Sequence, residues 1–83
     1  MSEREYQRRT DPEYEAYRRK VGEKIKALRE DMNLSQEAFG EKAGLNRTHV
    51  SYLEVARQDP SLLTLYRVAK VLGLSVSELL EVE

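Results

Sequence analysis

The chain has 83 residues, of which 40% are hydrophobic and 35% are charged, and its formal net charge is −1. This length allows one small domain with a single core, and this composition excludes a chain that is disordered throughout. The absence of cysteine excludes disulfides and thiolate metal sites and favours a cytoplasmic protein, while the lack of an apolar run of about 20 residues excludes a membrane span.

A long first helix is predicted after a short polar arm. Residues 1–11 show no periodicity, and we assign them to a flexible arm that precedes a single domain over residues 12–83. Thr10 or Asp11 can cap a helix, and Pro12 and Glu13 suit its first turn. Apolar side chains then recur at steps of three and four, which is typical of one helix with a single buried face. These side chains are Tyr14, Tyr17, Val21, Ile25, Leu28 and Met32.

Two short helices with a tight corner between them are predicted next. Ser35 caps a second helix over residues 36–43, and Gly44 ends it. Asn46 caps a third helix over residues 47–55. The apolar side chains that we expect to face inward are Ala38, Phe39 and Ala43 from the second helix and Val50 and Leu53 from the third.

The last two helices are predicted from a turn, two caps and a further apolar stripe. Residues 59–61 form a turn and a cap, and Gly73 ends the helix that follows. Ser75 and Glu78 form a capping box for a final helix. The side chains expected to face inward are Leu62, Leu65, Val68, Ala69 and Leu72 in the fourth helix and Val76, Leu79 and Leu80 in the fifth. Because no strand pattern appears, we predict an all-α fold of five helices.

The corner between the second and third helices has the spacing of a helix-turn-helix, since it spans about three residues centred on Gly44. In that arrangement the first of the two helices contacts the sugar-phosphate backbone, and the second points its N-terminal residues at base edges in the major groove of DNA. The net charge shows no broad basic character, so any DNA-binding surface must be local.

A family resemblance lies in the segment LSQEAFGEKAGLNRTHVSYLE, which is similar to the Cro/repressor type of helix-turn-helix in phage repressors and small bacterial regulators. A later segment, DPSLLTLYRVAKVLGLSVSELL, resembles the two closing helices of that domain, so the likeness covers residues 21–81. A narrower resemblance links NRTHVSYLE to the controller proteins of restriction–modification systems. The resemblance implies an autoregulatory, sequence-specific transcription regulator that binds a near-palindromic double-stranded DNA operator as a homodimer.

Site residues follow from the resemblance, position by position. It implies base contacts by Arg47, Thr48 and Tyr52 and phosphate contacts by Gln36, Asn46, His49, Ser51 and Arg57. Arg47 is the foremost candidate for base readout, because arginine can bond guanine O6 and N7 together. The alternatives are a phosphate contact for Arg47 or Thr48, backbone packing for Tyr52 and an ordinary first-turn role for Gln36. For Arg57 they are an adjacent groove of the DNA or a solvated loop position.

Two further sets of charged residues have roles implied by the resemblance. In related repressors an arginine on the first helix meets the glutamate that ends the third, which predicts a pair between Arg29 and Glu54; two unpaired surface charges are the alternative. Glu37 and Glu41 match acidic residues that face RNA polymerase in a repressor that also activates. A solvated acidic face is the alternative interpretation of these two residues.

A dimer interface has to come from the C-terminal helices, because no separate dimerisation domain is predicted. We expect a self-complementary apolar patch made of Leu63, Tyr66, Leu79 and Val82. The segment before Val21 is longer than such a domain needs, and we expect it to extend the first helix and pack on its own fold. Contact with a partner subunit or with DNA is the alternative. This segment contains Tyr6, Arg8, Arg9, Tyr14, Tyr17, Arg18 and Arg19.

Three residues, at two places in the chain, depart from the family pattern. Gly40 stands where alanine is usual in the second helix, at a cost of about 1 kcal/mol in helix propensity. Val55 and Ala56 stand where glycine or a basic residue often follows the third helix, which leaves the end of that helix less defined.

Other function classes fit the sequence less well. An antitoxin or protein-binding adaptor on the same fold is the alternative, which the low net charge favours and Arg47 and Thr48 disfavour. An enzyme is not expected, because the sequence shows no Ser/His/Asp set, metal cluster or phosphate-binding glycine loop. His49 is the only histidine, so no metal is expected, and nothing implies a cofactor or a small-molecule ligand.

Overall fold

The computed structural model describes residues 11–83, so the predicted arm over residues 1–10 lies outside the described part of the chain. Five helices occur in this part: α1 (Pro12–Asp31), α2 (Gln36–Ala43), α3 (Arg47–Glu54), α4 (Leu62–Leu72) and α5 (Val76–Leu80). Between residues 11 and 83 there is no β-strand. The predicted all-α, five-helix fold with a long first helix is therefore confirmed. None of these helices has both the length and the apolarity needed to cross a membrane.

Each helix begins at a side chain that accepts a hydrogen bond from the backbone N–H three residues later. The capping residues are Asp11, Ser35, Asn46, Ser61 and Ser75. At α5 the predicted capping box is present, since the Ser75 N–H also donates to Glu78 Oε1 at 2.9 Å. A cap of this kind contributes about 1 kcal/mol and fixes where a helix starts. The cap at Asn46 therefore defines which residues stand at the exposed start of α3.

The core lies where α3 is enclosed by α1 on one side and by α2 on the other, while α4 and α5 close the bundle. Its fully buried members include Phe39 from α2, Val50 from α3 and Val68 from α4. The remaining buried apolar residues are Val21, Ile25, Ala43, Leu53, Ala69 and Leu79. At about 1.5–3 kcal/mol for each large buried apolar side chain, this packing holds α3 against its neighbours.

Close backbone approaches explain two glycines that helix propensity alone disfavours. A Cβ atom on Gly22 of α1 would lie 2.6 Å from the carbonyl oxygen of Leu53 and 2.7 Å from that of Glu54. A Cβ atom on Gly40 of α2 would likewise collide with the carbonyl oxygen of Leu45. Alanine at Gly22 would push α1 away from the end of α3, and alanine at Gly40 would push α2 away from the residues just before α3. These glycines therefore let α1 and α2 pack tightly at the two ends of α3.

The structure corrects the predicted inner face of α4. The apolar stripe predicts that Leu62 faces inward, but Leu62 is 74% exposed, whereas Thr64 is buried. The two positions are about 200° apart around a helix of 3.6 residues per turn, so burial of Thr64 places Leu62 on the outer side. Thr64 can be buried because its hydroxyl oxygen accepts a hydrogen bond from Ser61 Oγ at 3.0 Å. Because threonine is polar, the hydrophobic pattern of the sequence does not show that this side of α4 is buried.

The predicted dimer patch also needs a correction. Leu79 is fully buried in the core, so it is not available to a second copy of the chain. Val82 is half-buried and packs against the same core. Leu63 and Tyr66 are exposed, by 55% and 56%. The prediction that Leu79 lies at the dimer interface is wrong, because the same side chain fills the core, as the expected inward-facing residues of the fifth helix had already indicated.

Candidate nucleic-acid interface

The corner between α2 and α3 holds the start of α3 away from the body of the protein. Gly44 adopts the left-handed conformation, with φ of 72°, and the next residue turns back so that the Leu45 N–H donates to Gly40 O at 2.8 Å. Phe39 and Val50, both fully buried, lock the two helices together beneath this corner. Because three residues make the turn, the first residues of α3 stand at the edge of the domain and not against its core.

The start of α3 carries the exposed polar residues that were predicted to contact DNA. Asn46, Arg47 and Thr48 are exposed, and the Asn46 side chain accepts a hydrogen bond from the His49 N–H at 2.7 Å. Ser51 and Tyr52 are half-buried and lie one turn beyond Arg47 and Thr48. Together they form one outward face, which we call the α3 face and which consists of Arg47, Thr48, Ser51 and Tyr52. Val50, Leu53 and Glu54 lie on the opposite, buried side.

The loop after α3 brings Arg57 back to this face. The Arg57 N–H donates to Tyr52 O at 2.9 Å, and the Arg57 guanidinium carbon lies 5.3 Å from the centre of the Tyr52 ring. Such a distance allows a cation–π interaction. The turn requires Ala56 to adopt a φ of 58°, a conformation that glycine adopts at less cost. The helix end that the sequence left undefined is therefore a tight turn with alanine at the left-handed position.

A buried ion pair fixes α3 from behind. Arg29 Nε donates to Glu54 Oε2 at 2.6 Å, and Arg29 Nη2 donates to Glu54 Oε1 at 3.1 Å. Arg29 Nη1 also donates to Leu34 O at 2.7 Å, which ties the α1–α2 connection to the same guanidinium. Arg29 is only 8% exposed and Glu54 5%. The hydrogen bond to Glu54 raises the pKa of the Arg29 guanidinium, which favours the charged arginine in this buried site.

Gln36 takes part in this buried network as well as standing at the start of α2. Its Nε2 atom donates to Glu54 Oε1 at 3.1 Å. Its backbone N–H belongs to the first turn of α2, where helical N–H groups have no carbonyl partner within the helix. A phosphate could therefore meet the backbone N–H, while the side chain braces Glu54. The predicted side-chain contact between Gln36 and a phosphate stays a prediction.

Other predicted site residues lie on separate surfaces. Glu37 and Glu41 are both exposed on α2, and their predicted contact with RNA polymerase stays a prediction. Leu63 and Tyr66 lie on α4 beside the exposed Leu62. We call these three exposed residues the α4 patch. Across residues 11–83, no cluster of three or more acidic, histidine or cysteine side chains could hold a metal ion.

One polar cluster was not predicted. The Tyr14 hydroxyl donates to Asp59 Oδ1 at 2.5 Å, and Arg18 Nη1 donates to the same oxygen at 2.8 Å. The bond from Tyr14, followed by the Arg18 guanidinium, holds the pKa of the Asp59 carboxyl below its usual value. The bond to Asp59 also raises the pKa of the Tyr14 hydroxyl. More than 40 residues separate these partners along the chain, so no local pattern could have revealed the contact.

Comparisons with known proteins agree with this geometry. The helix-turn-helix family matches residues 25–79. The immunity repressor of Bacillus phage phi105 is 46% identical over 57 residues, which cover 69% of this chain and only 40% of the phage protein. The crystal structure of the restriction-modification controller protein C.AhdI from Aeromonas hydrophila is similar with a TM-score of 0.73 and 31% identity, over 77% of this chain and 97% of the controller.

A third similar protein was crystallised with DNA. It is SinR, the master regulator for biofilm formation, whose structure matches with a TM-score of 0.69 and 35% identity, over 74% of this chain and 98% of that chain. Residues 25–79, which the family matches, contain the corner at Gly44, the α3 face and the buried pair Arg29–Glu54 behind it. With two short helices joined at that corner and a family match over 25–79, the chain belongs to the helix-turn-helix family.

Proposed function

We propose that this protein is a sequence-specific, DNA-binding transcriptional regulator that acts in the cytoplasm. The observation that carries the proposal is the exposed polar start of α3, where Arg47 and Thr48 project from a corner fixed by buried packing. The family match supports it, as does the similarity to SinR, which was crystallised in complex with DNA. Rigid support behind exposed polar groups is what base recognition requires, since hydrogen bonds to base edges depend on position.

In this proposal, residues of the α3 face read bases, and residues on this face and around it bind phosphates. Arg47 reads a guanine by a bidentate contact, and Thr48 and Tyr52 contact neighbouring bases in the major groove. The phosphate contacts come from Asn46, His49, Ser51 and Arg57, together with the first turn of α2 at Gln36. This local set of donors offsets the formal net charge of −1, which supplies no general attraction to DNA.

A homodimer is proposed because one recognition helix covers only part of an operator. One recognition helix reads about half of an operator, so two copies related by two-fold symmetry would read a near-palindrome. The α4 patch is our candidate for the self-complementary contact, with exposures of 74% for Leu62, 55% for Leu63 and 56% for Tyr66. Val82 follows α5 and packs on the core of its own subunit, and its part in the dimer contact stays a prediction.

Control of its own promoter is the proposed biological setting, and the similarity to C.AhdI supports a role as the controller of a restriction–modification system. A dimer with a small interface dissociates at low concentration, so operator occupancy would rise steeply as the protein accumulates. Activation would need a surface for RNA polymerase. Glu37 and Glu41 on the exposed side of α2 are the candidates for that contact.

A second candidate function is that of an antitoxin or protein-binding adaptor. The α4 patch favours it, because three large exposed apolar side chains on one short helix also suit a different protein partner. Pull-down with α4-patch variants as controls would identify such a partner.

In vitro selection from a random duplex DNA pool tests the proposed function without assuming the operator. We expect the wild-type protein to enrich two inverted half-sites whose centres lie about one helical turn, or roughly 10–10.5 base pairs, apart. The DNA upstream of the protein's own gene should contain a site of this kind. Recovery of no common sequence would contradict the proposal and would favour the protein-binding alternative.

A further inference from the structure

The N-terminal half of α1 is joined to the loop that follows α3. Tyr14 and Arg18 lie one turn apart on α1, and both donate to Asp59 Oδ1, at 2.5 Å and 2.8 Å. The Arg18 guanidinium carbon also lies 5.7 Å from the centre of the Tyr14 ring. We call Tyr14, Arg18 and Asp59 the loop clamp. The two α1 residues precede the segment matched by the family, which begins at residue 25.

Arg18 is held in the clamp and does not extend into water. Its side chain is 24% exposed, and its Nε atom is buried without a hydrogen-bond partner among residues 11–83. A long arginine would normally turn such a donor towards solvent, because an unpaired buried N–H is costly. The guanidinium is located instead by its contacts with the Tyr14 ring on α1 and with the Asp59 carboxylate in the loop. Asp59, by contrast, is 66% exposed and has Arg18 as its ion-pair partner.

The other end of the loop is fixed to α3. Two residues before Asp59, Arg57 bonds through its backbone N–H to Tyr52 O and stacks over the Tyr52 ring at 5.3 Å. Between these anchors the chain passes through the exposed residue Gln58, and the left-handed residue Ala56 precedes them. The loop is thus attached to α3 at its start and to α1 near its end. Release of one attachment would leave Arg57 on a short segment held at one end only.

We infer that Tyr14, Arg18 and Asp59 are positioning residues for DNA recognition, because by tethering the loop to α1 they hold Arg57 beside the α3 face. This inference rests on the proposed function. Arg57 makes the contact with DNA, and the clamp acts through it by limiting the positions that the loop can take. A phosphate contact from a pre-organised arginine loses less conformational entropy on binding than one from a mobile loop.

Charge alone makes a different prediction. Asp59→Ala removes the acceptor of both clamp bonds and also a negative charge from the loop, so a purely electrostatic role would strengthen DNA binding. Arg18→Met removes a positive charge, so the same role would weaken it. The clamp predicts that both substitutions have the same effect on Arg57, namely a smaller contribution of that arginine to binding. The two variants therefore separate positioning from charge.

A double-mutant cycle tests this inference, with the duplex selected by the wild-type protein as probe and fluorescence anisotropy over a salt series as readout. We expect Arg57→Ala to weaken binding about tenfold in the wild-type background and less than about threefold in the Asp59→Ala and Arg18→Met backgrounds. Each clamp variant should also lower the salt slope by about one, since a phosphate contact is lost. Circular dichroism establishes that each variant is folded.

Tyr17→Phe is the matched control. Tyr17 lies on the same helix, and its hydroxyl donates to Leu80 O at the end of α5, away from the loop. Its removal should leave the tenfold effect of Arg57→Ala and the salt slope unchanged. An equal loss for Arg57→Ala in every background would overturn the inference, as would an Arg57→Ala variant that binds like the wild type. Failure of the wild-type protein to select any DNA would instead refute the proposed function and, with it, this inference.

Discussion

At the scale of single residues, Ala56 is the position where sequence and backbone conformation disagree most. It follows α3 with a φ of 58°, which costs an alanine about 1 kcal/mol or more relative to glycine. The residue stands between the α3 face and Arg57, so its conformation directs the loop. The cost is offset by the hydrogen bonds and packing on either side of it.

Ala56→Gly should raise the free energy of unfolding by about 1 kcal/mol, because glycine adopts the same φ without a Cβ penalty. Urea denaturation followed by circular dichroism measures this change. Gly73→Ala is the matched reverse change, since Gly73 has a φ of 74° and a Cβ atom there would meet nothing within 4 Å. Gly73→Ala should lower the free energy of unfolding by a similar amount. A destabilised Ala56→Gly variant would contradict this description of the turn.

The buried pair between Arg29 and Glu54 gives a second prediction at this scale. Arg29→Met leaves the Glu54 carboxylate buried with only the hydrogen bond from Gln36. It should therefore lower the free energy of unfolding by about 3–5 kcal/mol. The double variant Arg29→Met with Glu54→Leu removes both charges and should be more stable than Arg29→Met alone. Urea denaturation of the wild type, Arg29→Met, Glu54→Leu and the double variant measures the coupling between the two residues. Equal stability of Arg29→Met and the double variant would show that the buried charge is not the cause.

At the scale of elements, the distance between α1 and α3 depends on one glycine. Gly22→Ala would place a methyl group against the carbonyl oxygens of Leu53 and Glu54, at the point where the ion pair joins the two helices. Although alanine has the higher helix propensity by about 1 kcal/mol, we expect a net loss of about 1–3 kcal/mol from overpacking. Glu23→Ala, an exposed neighbour, should change stability by less than about 0.5 kcal/mol.

A stabilised Gly22→Ala variant would show that propensity outweighs packing between α1 and α3. Thermal unfolding of both variants decides the question, and DNA binding of Gly22→Ala should fall as well because α3 would tilt.

Prediction from sequence succeeded where the signal was local. Caps such as Ser35 and Asn46 and end signals such as Gly44 defined the helix bounds to within a residue, because each depends on side chains within one turn. It failed where burial depends on partners elsewhere in the chain. Thr64 faces the core and Leu62 faces solvent because of how α4 docks on its neighbours, which its own composition does not show. The site was predicted through its family resemblance, whereas the loop clamp joins distant segments.

At the scale of the whole molecule, the proposal places DNA recognition and self-association on different helices. The α3 face contains Arg47 and Thr48, and the α4 patch contains Leu62, Leu63 and Tyr66. α1 packs on α3, α4 and α5. It bonds Glu54 behind α3 and, through Lys24, the carbonyl oxygens of Glu78 and Glu81 at the end of α5. Two copies joined through α4 would therefore present two recognition helices on one rigid scaffold.

Leu63→Glu should prevent the dimer without unfolding the protein, because Leu63 is exposed and lies outside the core. A buried glutamate pair at a two-fold contact is repulsive and desolvated. Sedimentation equilibrium should show a monomer for this variant, and binding should fall to that of a single half-site. Val55→Glu, at a residue 59% exposed and away from α4, is the control for association. An unchanged dimer in Leu63→Glu would exclude the α4 patch as the interface.

The central claim is that the start of α3 reads base edges, and Arg47 tests it most directly. The measurement is fluorescence anisotropy of the wild type and of Arg47→Ala on the selected operator and on a scrambled duplex, over a salt series. If Arg47 reads a base, the variant loses about 1–3 kcal/mol of discrimination between the two duplexes while its salt slope changes little. If it weakens both duplexes equally and lowers the salt slope by about one, Arg47 contacts phosphate and the claim is wrong.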